Sequence, residues 1–250
     1  MRFDGRVAMV TGGAKGIGAA VARALARAGA RVALLDVDAP ALDALTRDLE
    51  REGGEVLARK ADVTRAADVE AAVEAARARW GPVEVLVNNC GGFSTIRPTE
   101  EIPDDEWDLV LRVNLTSAFL CTKSVLPAMK QRRWGRIVNF SSIGGRGGLL
   151  LLCSHYAAAK AAILGFTRHV ALEVAGLGIT VNAVAPGTVA TERFRALRTA
   201  DETEALAERV PMKRVAEPSE IAEIVLFLAS DAASYVTGAC LDVNGGVLMA

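Results

Sequence analysis

Histidine and cysteine are too scarce and too scattered in this chain to build a metal centre. Two histidines and four cysteines occur in 250 residues, with no C-x-x-C pair and no histidine at ligand spacing from another donor. Cys90, Cys121, Cys153 and Cys240 read as small buried hydrophobes in a reducing compartment, the cytoplasm, with Cys90 and Cys153 also able to border a site. A charge surplus is equally lacking. Lys and Arg number 29 against 30 Asp and Glu, which gives nucleic acid and anionic lipid nothing to hold. No uninterrupted apolar run approaches the ~18 residues that span a bilayer. Met1-Arg2-Phe3-Asp4-Gly5-Arg6 leads straight into a strand-like segment, without the layout of a secretory signal.

What the chain does have is a regular alternation of short β-branched runs with longer stretches of helical period. Strands are expected at Arg6–Thr11, Arg31–Leu35, Glu55–Lys60, Val83–Val87, Arg136–Phe140, Ile179–Val184 and Ala239–Val243. Helices are expected at Ile17–Ala28, up to about Arg51, at Ala66–Trp80, Asp104–Arg132 despite Pro127, Ser154–Ala175 and Pro218–Leu228. Near-continuous apolar strands separated by helices predict an α/β fold: a doubly wound parallel sheet of about seven strands, covered on both faces. No linker or repeat interrupts the pattern, so residues 1–250 read as one domain.

The first strand–helix junction is Thr11-Gly12-Gly13-Ala14-Lys15-Gly16-Ile17-Gly18. Glycines there let the backbone turn sharply and approach a pyrophosphate at the positive end of the helix, and Gly18 permits close helix–sheet packing. Ile17 and Gly18 stand where a P-loop needs Lys and Ser or Thr. Asp36, just after the second strand, can accept hydrogen bonds from an adenosine ribose and would repel the 2′-phosphate of NADP. Lys15 pulls the other way, but a flexible lysine can stay in solvent. The ranking favours NAD. Asp36 acting only as a helix cap is the plainer alternative.

Tyr156 and Lys160 lie one helical turn apart on a shared face. A free phenol is a poor acid and base near neutrality; a neighbouring ammonium favours the phenolate and brings proton transfer within range.

Taken together these motifs resemble the short-chain dehydrogenase/reductase family, whose fold is of the Rossmann type, along essentially the whole chain. The fingerprint is Thr11 to Gly18; Asn88-Asn89-Cys90-Gly91 follows the fourth strand, with Cys in place of the usual Ala; Asn114 stands in the long helix; Ser141-Ser142 follows the fifth strand; Tyr156 and Lys160 form the Y-x-x-x-K pair; and Pro186-Gly187 precedes Thr191. The resemblance implies Tyr156 as general acid/base and Lys160 as the group lowering its pKa and holding a ribose. It makes Ser142 the hydrogen-bond donor to the substrate oxygen and Asn114 the anchor of a proton-relaying water. Alignment selects Ser142 over Ser141; strand alternation says only that the two point differently. The implied cofactor site contains Gly12, Lys15, Gly16, Ile17, Gly18, Asp36, Asp62, Val63, Asn89, Gly91, Tyr156, Lys160, Pro186, Gly187, Val189 and Thr191. It also implies a homotetramer through Asp104–Arg132 and Ser154–Ala175. The one-turn Tyr–Lys spacing is unlike the enoyl reductase branch, where the two lie further apart.

Substrate identity is less legible. The loop Gly144–Cys153 lies between the serine and the tyrosine, and Leu149 to Leu152 read either as an apolar pocket wall or as core and subunit contact. Arg146 could pair with a substrate anion or be exposed. His155 points away from Tyr156 and reads as pocket edge or surface, His169 as structural or interfacial. Phe93 and Ile96 are opposite-wall candidates. A lid is expected at about residues 188–215, with Phe194 closing over the ligand. The expected activity is NAD-linked hydride transfer between nicotinamide and a secondary alcohol or ketone. An NADPH-linked 3-oxoacyl-carrier reductase is the alternative, with a catalytically silent cofactor sensor as a distant third.

Overall fold

Val7–Thr11 (β1), Arg31–Asp36 (β2), Val56–Lys60 (β3), Val85–Asn88 (β4), Gly135–Phe140 (β5), Ile179–Pro186 (β6) and Cys240–Val243 (β7) form one sheet, ordered β3-β2-β1-β4-β5-β6-β7. Every pairing is parallel. The computed structural model describes residues 1–93, 95–147, 153–196 and 198–249. The helices are Gly16–Arg27 (α1), Ala39–Arg51 (α2), Ala66–Trp80 (α3), Asp104–Leu111 (α4), Ser117–Arg132 (α5), Ser154–Val174 (α6), Glu192–Ala196 (α7), Ala200–Glu208 (α8) and Pro218–Ala229 (α9).

Strand alternation sorts the apolar side chains into two cores. Ala8, Val10, Val32, Leu34, Val85 and Val138 face α1, α2 and α9, meeting Leu25, Leu45 and Ile221. Met9, Leu35, Leu86, Ile137 and Val181 face α3, α5 and α6, meeting Val69, Val125 and Val170. Both faces are covered, which is why the strands read as unbroken apolar runs.

Four features depart from the sequence reading. Asp104–Arg132 is not one uniform helix: Arg112–Thr116 forms a π-helical turn between α4 and α5, carrying Asn114. Its length and composition would let Asp104–Arg132 cross a membrane, although no single apolar run predicted that. Its buried residues, among them Val110, Cys121, Val125 and Met129, pack inward beside α3 and α6. The polar segment expected as a lid contains α7 and α8, and Val189 bridges to Ala216. Lastly, β4 begins at Val85 rather than Val83, and β6 runs on to Pro186, delivering the Pro-Gly turn directly from a strand end.

Because all strands run parallel, Thr11, Asp36, Asn88, Phe140 and Pro186 end on one edge of the sheet. β1 pairs with both β2 and β4, so the winding reverses there and opens a crevice at that edge.

Candidate active site

A cleft of about 740 Å³ occupies this crevice. Gly12, Lys15, Gly16, Ile17, Asp36, Asn89, Gly91, Ser142, Tyr156, Lys160, Pro186, Gly187, Val189 and Thr191 all line it. A second cavity of about 410 Å³ adjoins it, and Phe93, Ser142, Tyr156 and Gly187 belong to both. Its other walls include Ile96, Ile143, Phe194, Leu206, Val210 and Val247. Phe93 and Ile96 thus stand where the opposite wall was expected, and the Phe93 ring centroid lies 4.8 Å from that of Tyr156.

The glycine turn is built as its residues require. Gly12 and Gly16 have φ of +59° and +55°, where a side chain is strained. Gly18 acts differently from expectation: a Cβ there would strike the Gly12 carbonyl and lie 2.6 Å from Asn89 Nδ2, so its contact is with the turn itself rather than the sheet. Asn89 Nδ2 donates to the carbonyls of Thr11 and Gly12, at 3.0 and 2.9 Å, fastening the end of β4 to the turn. Cys90 lines the cleft, and burial pushes its thiol up to about 11, the thiol form at neutral pH.

Asp36 is half-buried at the end of β2. Its carboxylate accepts from the Ala14 amide and the Asp38 amide, both at 3.1 Å. The helix-capping role belongs to Asp38, which accepts from Ala41 N–H at the start of α2. Lys15 is bonded to Asp38 at 2.6 Å, so the cation weighed against Asp36 has its own carboxylate. Asp62 and Val63 do not line the cleft. The Asp62 carboxylate instead accepts from the Thr64 amide and hydroxyl, at 2.9 and 2.7 Å, which holds it below the usual carboxylate range.

Ser142 Oγ accepts from the Gly144 amide at 3.2 Å, and the hydroxyl shares the cleft wall with the Tyr156 phenol. Ser141 Oγ turns the other way and donates to the Lys160 carbonyl at 2.8 Å, pinning α6 to β5. The two serines thus point differently, as strand alternation requires. A buried polar chain adds to that link: Asn88 Nδ2 donates to Asn139 Oδ1, and Asn139 Nδ2 to Thr167 Oγ1 on α6.

Lys160 is buried and donates to the Phe140 carbonyl at 2.8 Å. Burial pulls its ammonium down to about 8. Its Nζ lies 5.7 Å from the Tyr156 ring centroid. The expected lowering of the phenol by this ammonium is not what governs here: burial pushes Tyr156 up, and Ser142 opposes that. Asn114 does not line the cleft but clamps it. Its amide donates to the carbonyls of Gly92 and Val110, and its Oδ1 accepts from Gly92 N–H at 2.8 Å. Gly91 makes room for this arrangement, since a Cβ there would lie 2.5 Å from Asn114 Oδ1 and 2.8 Å from Lys160 Nζ.

Other candidates fall outside the cleft. Arg146 makes a bidentate pair with Asp242, at 3.0 and 2.8 Å, and is not available to a substrate. His155 is neither pocket edge nor surface. It is fully buried, its Nδ1 accepts from the Tyr156 amide at 2.7 Å and its Nε2 lies 3.4 Å from Glu106 Oε1. His169 is exposed and pairs with Glu173 on its own helix. Cys153 is buried and donates to the Thr95 carbonyl. Leu149 to Leu152 lie outside the described residues. Among the described residues no cluster of His, Cys, Asp or Glu could hold a metal. Sequence reasoning missed the position of Glu192, whose Oε2 accepts from Gly16 N–H at 3.0 Å, and missed Arg198 and Arg209 on the second cavity.

The cleft fits a dinucleotide on its own features: positive-φ glycines at the start of α1, a carboxylate at the end of β2, and a Gly91 floor that a Cβ would fill. A family profile described as enoyl-(acyl carrier protein) reductase matches residues 12–248. The 3-oxoacyl-(acyl-carrier-protein) reductase of Escherichia coli K12 is 40% identical over 252 residues, covering all of both chains. A solved 3-oxoacyl-(acyl-carrier protein) reductase with bound NAD from Brucella melitensis is 34% identical with a TM-score of 0.91, covering 100% of this chain and 95% of that one. A solved actinorhodin polyketide ketoreductase with NADPH is 39% identical with a TM-score of 0.92, covering 97% of each.

Proposed function

The chain belongs to the short-chain dehydrogenase/reductase family and is an NAD(P)-dependent oxidoreductase of CH–OH or keto groups, and we propose that it is NAD-linked, interconverting a secondary alcohol and its ketone through Tyr156. The observation that carries this reading is the shared wall: Ser142 and Tyr156 belong both to the cleft with the glycine turn and to the apolar second cavity. A substrate oxygen in the second cavity would meet both hydroxyls.

Bound nicotinamide supplies the hydride acceptor or donor. The chain's own residues handle the proton and the charge. Tyr156 gives its proton to a ketone oxygen or takes one from an alcohol, and Ser142 donates to the oxygen as negative charge develops. Lys160, buried with one carbonyl partner, would hold ribose hydroxyls and place positive charge beside the phenol. Asn114 fixes the Gly91–Gly92 segment and would anchor the water that returns the proton. Gly12, Gly16, Ile17 and Gly18 would receive the pyrophosphate, Asn89 and Gly91 the adenosine side, and Pro186, Gly187, Val189 and Thr191 the carboxamide end. Asp62 and Val63 keep no part in this proposal.

NAD preference rests on Asp36 at the cleft and on Lys15 being bound to Asp38. A second reading, an NADPH-linked 3-oxoacyl thioester reductase, draws on the 40% identity to a protein of that name and on the NADPH in one similar structure. One domain serves both cofactor and substrate in either reading. Exposed Leu109, Phe119 and Leu172 on α4, α5 and α6 support a homotetramer built through these helices. Four free cysteines suit a cytoplasmic enzyme.

The test is a screen of hydroxy acids, hydroxyacyl thioesters, cyclic alcohols and sugars with NAD, following nicotinamide absorbance, repeated with Tyr156→Phe. The variant should lose turnover by about 10²- to 10⁴-fold while binding NADH normally. Unchanged turnover would remove Tyr156 from the chemistry.

A further inference from the structure

Five arginines lie in or beside the segment that closes the second cavity, and they do not behave alike. Arg193 donates to the Phe93 carbonyl, Arg195 pairs with Glu217 and Arg214 pairs with Glu220. Arg198 and Arg209, which bracket α8, form no ion pair among the described residues. Both line the second cavity, and they are the only charged side chains among its described walls. Arg198 stacks on Phe194, 4.8 Å from its ring centroid, and also lines an outer depression on the lid, so it stands at the mouth. Glu204 shares that outer depression with it but lies beyond ion-pair distance.

A cavity whose walls are otherwise apolar or hydroxylic, with two guanidiniums and no carboxylate, is suited to one kind of guest. We propose that Arg198 and Arg209 are specificity residues that bind an anionic group on the substrate: an apolar hydroxy or oxo compound carrying a carboxylate or a phosphate at the end remote from the reacting carbon. A guanidinium offers paired donors that match either anion. Positive potential inside a shaped cavity concentrates such an anionic ligand and gives its neutral analogue no comparable gain. This rests on the alcohol/ketone reading above and narrows its substrate class.

Binding to the protein saturated with NAD⁺ separates the possibilities. The probes are 3-hydroxybutyrate with its methyl ester, and acetoacetyl-CoA with the acetoacetyl thioester of N-acetylcysteamine. Arg198→Gln and Arg209→Gln should each weaken the charged member by about 10-fold or more and leave the neutral member unchanged. Loss confined to 3-hydroxybutyrate identifies a substrate carboxylate as the anion; loss confined to the CoA thioester identifies a carrier phosphate. Affinity of the unaltered protein for the charged probe should also fall with added salt, a measurement independent of whether the variants fold. Equal binding of charged and neutral members, or variants that weaken both alike, overturns the proposal. Charge-dependent binding without any turnover would sink the activity reading and leave the anion site standing.

Discussion

Glu192 Oε2 accepts a hydrogen bond from the Gly16 amide at 3.0 Å, so a carboxylate carried by α7 rests on the first residue of α1. That amide is at the positive end of the helix, the place proposed for a pyrophosphate. Under that proposal Glu192 would compete with the cofactor. Replacing it by alanine should lower the Kd of NADH by about 2- to 5-fold, the worth of an exposed charge at a helix end, measured by fluorescence titration. An unchanged or raised Kd would mean that Glu192 assists binding instead.

Asp36 is the residue proposed to meet the adenosine end. Asp36→Asn removes the charge and keeps an acceptor oxygen for one of the Ala14 and Asp38 amides, which bond to separate oxygens of the carboxylate. The ratio of kcat/KM for NADPH over NADH should rise at least about 10-fold, as expected when a charged acceptor is lost. If the unaltered protein already favours NADPH, the ranking of Asp36 over Lys15 is wrong.

Gly91 and Gly165 make a matched pair. A methyl at Gly91 would meet Asn114 Oδ1 and Lys160 Nζ, whereas one at Gly165 on α6 meets nothing within 4 Å. Gly91→Ala should cut kcat by about 10-fold or more through displaced catalytic groups. Gly165→Ala should leave kcat alone and stabilise the fold by about 0.5–1 kcal/mol. Equal effects in kinetics and melting would refute the difference in roles.

Lys160 carries a pH signature. Its folded value of about 8 lies below the ordinary 10.5, so between these limits the unfolded chain holds more protons than the folded one. Its destabilising effect is complete below about pH 8 and is relieved as pH rises to about 10.5. Comparing Lys160→Met with the unaltered protein by denaturant unfolding cancels the other titrating groups. The variant's relative stability should decline across this window by roughly 3 kcal/mol; a flat difference would show that the ammonium is not penalised by burial.

The sheet was legible because parallel strands buried on both faces must be apolar throughout, and Val85–Asn88 or Ile179–Pro186 could hardly be anything else. Tyr156 and Lys160 stood out through their spacing of one helical turn, and Ser142 through the family resemblance alone. The π turn at Asn114 was not, because one widened turn leaves the apolar period on either side intact. Nor was Arg146 with Asp242, a pairing across 96 residues that only the folded sheet edge creates. His155 was misread from helix geometry alone, which gives its direction from Tyr156 but not the α4 residue Glu106 waiting on that side. The helix α8 did leave a trace that went unused: Thr199 and Glu202 form a capping box, a local signal visible in the sequence.

α7 spans only Glu192–Ala196, yet Glu192 and Arg193 face the cleft while Phe194 faces the second cavity. A single turn of backbone therefore contributes to the walls of both chambers. Whatever shifts this five-residue helix would reshape both sets of walls at once.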